Sequence, residues 1–155
     1  MFTEKHPVGF KKYILIAAFG YRLRLHVWRG VGNDSRHNHR WWFVSVPLIG
    51  TFEETRFREH AGQEFAKISV LDESGRRDGG RLYQLEGTSD LEVVRVHRRY
   101  PLIPYLCRVG EIHSLVPDKR GLHASLVLVG RLQRVESDIW RYPENIDVPV
   151  ETSEP

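Results

Sequence analysis

The stretch "HNHRWWFVSVPLIGTFEE", residues 37–54, places two histidines two positions apart and follows them with a run of aromatic and β-branched residues. In a strand, side chains at i and i+2 face the same side, so His37 and His39 can reach one point together. Two interpretations are open. The pair holds a metal ion inside an apolar β-structure, or it belongs to a surface turn that leads into an ordinary buried strand.

The sequence around this stretch has the periodicity of strands. In "YRLRLHVW", residues 21–28, apolar and polar or bulky residues alternate strictly. Further β-rich runs are "EFAKISVL", "LEVVRVH", "VGEIHSLV" and "LHASLVLVG", with Gly, Asp and Pro turn signals between them. This pattern predicts roughly eight to ten short strands without an amphipathic helix, which is typical of an all-β sandwich or barrel.

Length and composition limit the classes of protein that fit. The 155 residues suffice for one domain, predicted over 1–143, followed by an acidic, flexible tail over 144–155. The 23 basic residues are spread along the chain, which argues against a nucleic-acid partner. The longest apolar run is too short to span a membrane, and no secretion signal is recognised. With Cys107 as its single cysteine, predicted to be buried and inert, the chain is expected to be cytoplasmic.

Three stretches together resemble the cupin superfamily. They are the stretch 37–54, "VGEIHSLV" at 109–116 and "SLVLVGRLQRVESDIW" at 125–140. The resemblance is closest to small bacterial single-domain cupins with an H-x-H-P-W-x-F-x-S-x-x-L-x-G-x-Y pattern, and it covers approximately residues 21–140. It implies a single-domain jelly-roll β-barrel with a metal ion inside its mouth.

The resemblance also implies which residues bind the metal. His37 and His39 match the histidines of the first motif, Gly50 matches its closing glycine, and His113 matches the histidine of the second motif. His113 is also the best third ligand on the residues alone, because it lies in a strand-like run after a glycine. A facial set of three imidazoles leaves positions open for water, substrate or dioxygen.

The sequence departs from the cupin pattern at the carboxylate ligand. Cupins usually carry a glutamate four or five residues after the second histidine, where this chain has Phe43 and Val44. Either the site has three histidines, as in thiol dioxygenases, or another carboxylate completes it. Glu53 and Glu54 are the candidates, and only one of them can face inward because they are adjacent on a strand.

Other side chains are candidates for the walls of the pocket. If one strand runs straight from the histidines onward, Trp41 and Phe43 face the metal and shape a dry pocket, whereas Trp42 faces away. His97 is either a base close to the metal or an exposed residue. Arg131 either pairs with a ligand carboxylate or lies on the surface.

These observations favour an enzyme, specifically a dioxygenase-like oxidoreductase that uses non-haem Fe(II) and acts on a small anionic organic substrate. Neutral imidazoles leave a divalent ion its full charge, which attracts anions. Zn, Mn or Ni in the same site would suit a redox-neutral isomerase, lyase or decarboxylase. A non-catalytic ligand-binding cupin is a further alternative, since one fold hosts many functions. Small cupins often pair through edge strands, so a homodimer is also open.

Overall fold

The computed structural model describes residues 2–5, 10–30, 35–72, 81–134 and 136–145. These ranges contain eleven strands and one short 3-10 helix, and no α-helix. The strands are β1 (Phe2–Lys5), β2 (Phe10–Ala18), β3 (Tyr21–Arg29), β4 (Arg36–His37), β5 (Phe43–Ile49), β6 (Phe52–Asp72), β7 (Arg81–Arg99), β8 (Tyr105–Cys107), β9 (Ile112–Pro117), β10 (Leu122–Val129) and β11 (Glu136–Arg141); the 3-10 helix is Pro143–Asn145.

The strands form two antiparallel sheets. The first sheet has the order β1-β2-β3-β10-β5-β8, and the second has the order β11-β4-β9-β6-β7. If strands β3 to β10 are numbered one to eight, their order is 1-8-3-6 in the first sheet and 2-7-4-5 in the second. This double Greek-key order defines a jelly roll, so the predicted all-β, cupin-like fold is confirmed.

Two parts of the chain extend beyond this eight-stranded unit. The pair β1–β2 widens the first sheet, and β11 pairs with both β4 and β6 of the second. The expected flexible tail over 144–155 lies outside the described residues from 146 onward. Within the described ranges there is no helix long and apolar enough to cross a membrane.

The chain does not form one straight strand through the histidines and the aromatic run, so the condition of the parity argument is not met. Strand β4 contains only Arg36 and His37, and the next strand of the chain, β5, begins at Phe43 in the other sheet. Residues 38–42 therefore cross from the second sheet to the first. A jelly roll requires such crossings, because most consecutive strands of its eight-stranded unit lie in different sheets; the β6–β7 pair is the exception.

The polar face of β3 points into the protein. Arg24 and Trp28 are buried, and His26 between them lines the internal cavity. His26 therefore belongs to the cavity wall; its alternation with Arg22 and Arg24 allows either this position or the outer surface. The apolar alternate residues of the strand face outward.

Two apolar clusters fill the described part of the sandwich. The first contains Phe43, Tyr105, Cys107, Val127 and Val129, all from the first sheet. Cys107 is fully buried, as predicted, and this burial raises the pKa of its thiol. The second cluster lies around Phe65, Leu91 and Trp140 of the other sheet.

Candidate metal centre

The histidines at 37, 39 and 113 meet at one point inside the jelly roll. His37 on β4 lies directly opposite His113 on β9 in the strand register, and His39 follows at the start of the crossing between the sheets. The ring centroids are 4.7 to 5.2 Å apart. One potential ligand atom from each ring lies within 4.8 Å of the other two. The three side chains can therefore hold a divalent metal ion.

Hydrogen bonds fix the orientation of two of these rings. Nδ1 of His37 lies 2.9 Å from the carbonyl oxygen of Ser35, and Nδ1 of His113 lies 3.1 Å from Oε1 of Glu54. Both oxygens can only accept, so each Nδ1 carries a proton, and in the neutral form of each ring Nε2 then keeps its lone pair. This tautomer is the one that a metal ligand requires, and the outer partner holds the ring in place.

The ring of His39 lies so close to that of His113 that their Nε2 atoms must share a proton or a cation. Nε2 of His39 lies 3.0 Å from Nε2 of His113. Two lone pairs at this distance repel each other, so the pair must share a proton or a cation. Burial and the neighbouring His113 lower the pKa of His37 to about 3, although its hydrogen bond to Ser35 acts in the opposite direction. At neutral pH the His37 imidazole is uncharged and able to bind a cation.

Glu54 accepts a hydrogen bond from His113 and is not one of the residues whose potential ligand atoms converge. Its carboxylate is completely buried and accepts hydrogen bonds from Nδ1 of His113 and from the Arg99 guanidinium, whose Nε lies 2.8 Å away. A second guanidinium, that of Arg56, lies 3.5 Å from Oε1. Burial opposes ionisation of the carboxyl, but His113 and Arg99 outweigh it and lower the pKa of Glu54 to about 2. Glu53 is exposed on the opposite face, so only one of the two glutamates faces inward.

A buried polar clamp holds the crossing segment between the histidines. The side-chain nitrogen Nδ2 of Asn38 donates to Oδ2 of Asp138 over 2.8 Å, and the backbone amide of Asp138 donates to Oδ1 of Asn38 over 2.7 Å. The hydroxyl of Ser69 donates to the other carboxylate oxygen over 3.0 Å. The clamp attaches the segment that carries His37 and His39 to β6 and β11.

The aromatic run packs against the histidines on one side only. The ring of Phe43 lies 4.8 Å from that of His39, and the ring of Trp41 lies 6.4 Å from it. Both line the internal cavity, with Phe43 buried and Trp41 half-buried. Trp42 faces away from the cavity and packs against Tyr21 and Gly130. These are the orientations that strand parity predicts, although the chain here is a crossing and not a strand.

The three histidines open into a cavity of about 620 Å³ between the sheets. This volume lies within the usual range for sites that bind small organic molecules. Its basic lining residues are Lys12, Arg24, Arg36, Arg40 and Arg141, and among the described residues its lining contains no aspartate or glutamate.

Two residues predicted for the pocket lie outside it. Arg131 is exposed, and its Nε donates to the carbonyl oxygen of Phe19 over 3.1 Å. His97 is half-buried on β7, opposite Glu54 in the register, and does not line the cavity. For Arg131 the reason is that the chain bends away at Gly130, directly after β10.

The remaining histidines divide between surface and interior. The sequence around His6, His60 and His123 gives no support for a site role, so all three are expected on the surface; His60 is exposed. His123, expected on the surface, is buried next to Phe52 and lies 3.5 Å from Oδ1 of Asp118. His6 lies outside the described residues.

Three side chains that support the site were not identified from sequence. Arg99, which donates a hydrogen bond to Glu54, ends the run "RVHRR". It lies two residues after His97, so the two share a strand face, and this spacing could have indicated Arg99 as a candidate. Asn38 stands between the two metal-site histidines, where its polarity was also visible. Asp138 gave no local signal, because it meets Asn38 only through the pairing of β11 with β4.

The chain is thus a cupin-like jelly roll with a three-histidine site that can hold a divalent metal ion. No protein-family model matches the sequence, and no curated protein matches it.

Several solved structures are similar to it. Peruvianin-I, a cysteine peptidase from Thevetia peruviana latex, is 14% identical, with a TM-score of 0.49 over 84% of this chain; the chain spans 66% of that structure's length. A cupin superfamily protein from Desulfitobacterium hafniense is 10% identical, with a TM-score of 0.44 over 83% of each chain. A protein from Shewanella oneidensis is 16% identical, with a TM-score of 0.37 over 84% of this chain and 72% of its own. The fold assignment rests on the strand order.

Proposed function

We propose that this protein is a non-haem Fe(II)-dependent oxygenase that acts on a small anionic organic substrate. The ion would be held by His37, His39 and His113. A bound Fe(II) ion supplies the electron-transfer chemistry that couples an organic substrate to dioxygen. The observation that carries the proposal is the convergence of these three imidazoles on the wall of the cavity between the sheets.

The number of protein ligands supports a catalytic site. Structural metal sites are usually closed by four protein ligands, whereas catalytic sites keep a position open for water or substrate. Here three ligands converge, and Glu54, the nearest inward carboxylate, is engaged by His113 and Arg99. The remaining side of the cluster faces the cavity, from which a substrate can approach.

The spacing of the nitrogens favours a facial arrangement. Two nitrogens at ~2.1 Å from a common ion are ~3.0 Å apart at a right angle and ~3.4 Å apart at the tetrahedral angle. The separation between Nε2 of His39 and Nε2 of His113 is 3.0 Å. This separation is compatible with octahedral Fe(II), and the three ligand atoms together, within 4.8 Å of one another, also accommodate Zn.

The walls of the cavity support an anionic organic substrate. Phe43 and Trp41 lie against His39 and exclude bulk water from that side, which strengthens electrostatic interactions within the site. Five basic residues stand in the lining of the cavity. A small organic anion is attracted by a divalent ion, because neutral imidazoles leave the ion its full charge.

The proposal is tested by metal analysis of untagged protein purified without oxygen, followed by oxygen-consumption assays against a panel of small organic acids and thiols. We expect close to one equivalent of Fe and oxygen uptake that depends on one class of substrate. Turnover with Zn, Mn or Ni and without oxygen would support the redox-neutral alternative instead. Protein that takes up none of these metals would refute the proposal and leave a ligand-binding role.

A further inference from the structure

The first sheet has an apolar side that faces away from the cavity. On β3, β5 and β10 the side chains that line the cavity occupy alternate positions, among them Arg24, Ser45 and Ser125. Successive side chains of a strand face opposite sides, so the residues between them form the outer face of the sheet. The described strands make two layers, and the second layer lies on the cavity side. No described strand therefore covers this outer face.

Cross-strand pairing arranges the outer residues in rows, because residues that pair across two strands lie on the same face. Three successive rows over β3, β10, β5 and β8 contain only apolar side chains: Leu23, Leu128, Val44 and Leu106; Leu25, Leu126 and Val46; Val27, Ala124 and Ile49. Strand β2 extends the first two rows with Ile16 and Tyr13, and it ends the third with Lys11. Charge therefore enters only at one corner of the face, at Lys11 and at Arg29 in the row that follows.

The side chains of this face are accessible to a partner. Leu128, Leu106 and Ile49 are 41%, 45% and 47% exposed. Leu126 is half-buried, because apolar side chains of the neighbouring strands stand on both sides of it. Single apolar residues on a surface are ordinary, whereas a contiguous apolar patch larger than a few hundred Å² marks an interaction site. The rows are contiguous, so this face belongs to the second kind.

The size of the face matches that of a protein interface. Strand β10 is the middle one of the five strands from β2 to β8. Four strand spacings give a width of ~19 Å, and the eight residues of β10 give a length of ~27 Å. The flat projection is therefore ~500 Å², and the accessible area is larger because the side chains stand up from the sheet. A stable interface of standard size buries ~800 Å² on each partner.

We propose that a second copy of this chain packs on the outer face of the first sheet and forms a twofold-symmetric dimer with Leu126 near its centre. In such a dimer the same patch meets itself, so a charge at the centre would face its own copy. The centre of this face carries none. Two sheets pack face to face at ~10 Å with their side chains interdigitated, which suits an apolar sheet surface. The cavity lies on the other side of the sheet, so the dimer does not depend on the proposed function.

A lipid surface is the weaker candidate for the occupant. Surfaces that lie on membranes combine apolar side chains with a face rich in Lys and Arg. Here the cations of the outer face stand at one corner only, at Lys11 and Arg29. The rows also come from the middle of paired strands and not from protruding loops. A second apolar sheet therefore fits this face better than a bilayer does.

Sedimentation velocity of the unmodified protein from ~0.1 to ~100 µM tests the proposal, since interfaces of standard size have micromolar or tighter affinity. We expect a dimer with a dissociation constant of ~10 µM or lower that persists at ~1 M salt, because apolar burial is not screened by ions. Leu126→Arg places two guanidinium groups against each other and should raise the dissociation constant at least ~100-fold. Leu128→Arg should raise it at least ~10-fold, and this residue is exposed enough in one copy to accept the charge.

The matched control is Leu85→Arg. Leu85 is 44% exposed, close to the value for Leu128, and lies on β7, the edge strand of the second sheet. This variant should dimerise like the unmodified protein. Circular dichroism and thermal unfolding show whether each variant is folded, and Leu128→Arg supplies the measurement if Leu126→Arg does not fold.

Three results would overturn the proposal. One is an unmodified protein that is monomeric at every concentration. Another is a dimer that both β10 variants leave intact, and dissociation by Leu85→Arg would then indicate pairing through the β7 edge. The third is monomeric protein that sediments with vesicles of phosphatidylcholine and phosphatidylserine and loses this binding in Leu128→Arg, which would assign the face to a membrane.

Discussion

Replacing Glu54 by glutamine should destabilise the protein and weaken its metal site together. The side chain keeps its shape but loses its charge and gains an NH₂ group. The carboxylate accepts hydrogen bonds from His113 at 3.1 Å and from Arg99 at 2.8 Å while completely buried. A glutamine has only one accepting oxygen, so its NH₂ must face one of these donors. The Arg99 charge also loses its buried counterion.

The magnitude follows from the pKa of Glu54. Lowering this pKa from 4.5 to about 2 corresponds to ~3 kcal/mol in favour of the ionised, folded form. Breaking a buried ion pair by removing one partner typically costs ~3–5 kcal/mol, which agrees. We therefore expect Glu54→Gln to lower the unfolding free energy by about 3 kcal/mol at pH 7. Its effect on metal affinity should be roughly 10- to 100-fold, the usual consequence of losing the partner of a ligating histidine.

The assay is urea unfolding of metal-free protein across pH, with Glu53→Gln as the control. Glu53 neighbours Glu54 on β6 but is exposed, so its variant should stay within ~0.5 kcal/mol of the unmodified protein. A depressed folded-state pKa stabilises above the unfolded value, and the stabilisation disappears as pH falls from about 4.5 to about 2. The difference between Glu54→Gln and the unmodified protein should shrink over that range. Equal stability of both glutamine variants at pH 7 would refute this account.

Three other experiments, two substitutions and one labelling measurement, have defined outcomes. His113→Ala should remove most bound metal, measured by elemental analysis, whereas the exposed His60→Ala should retain it; full occupancy in the first variant would exclude His113 as a ligand. Gly50→Ala should lower the unfolding free energy by ~3 kcal/mol, because Gly50 has φ +75° and a Cβ there overlaps the ring of buried His123; a loss under ~0.5 kcal/mol would contradict the packing. Cys107 should react with a disulfide reagent only after urea unfolding, because it is buried and its thiol pKa is raised; rapid labelling of native protein would contradict this.

Strand periodicity and the resemblance to cupins predicted the fold because both depend on residues that are close in sequence. The alternation in β3 and the turn at Gly50 are local signals, and each is present in the structure. The same alternation could not show which face of β3 points inward. Its polar face lines the cavity between the sheets.

The parts of the site that sequence missed depend on contacts between distant positions. Glu54 was considered as a metal ligand, but Arg99 on β7 and His113 on β9 both meet its carboxylate. Asn38 reaches Asp138 across 100 positions of the chain. Pairings of this kind are set by the order of strands in the sheet, which no local spacing encodes.

Strand β4 has a kinetic consequence for the site. It contains only two residues, and it pairs with β9 at a single position and with β11 at two. Short segments with few backbone hydrogen bonds open locally at a small fraction of the global unfolding free energy. Detachment of β4 would separate His37 from His113 while the long β6–β7 hairpin stayed intact. The residence time of a bound ion would then be set by the opening rate of this segment, and the Asn38–Asp138 clamp is the contact that slows it.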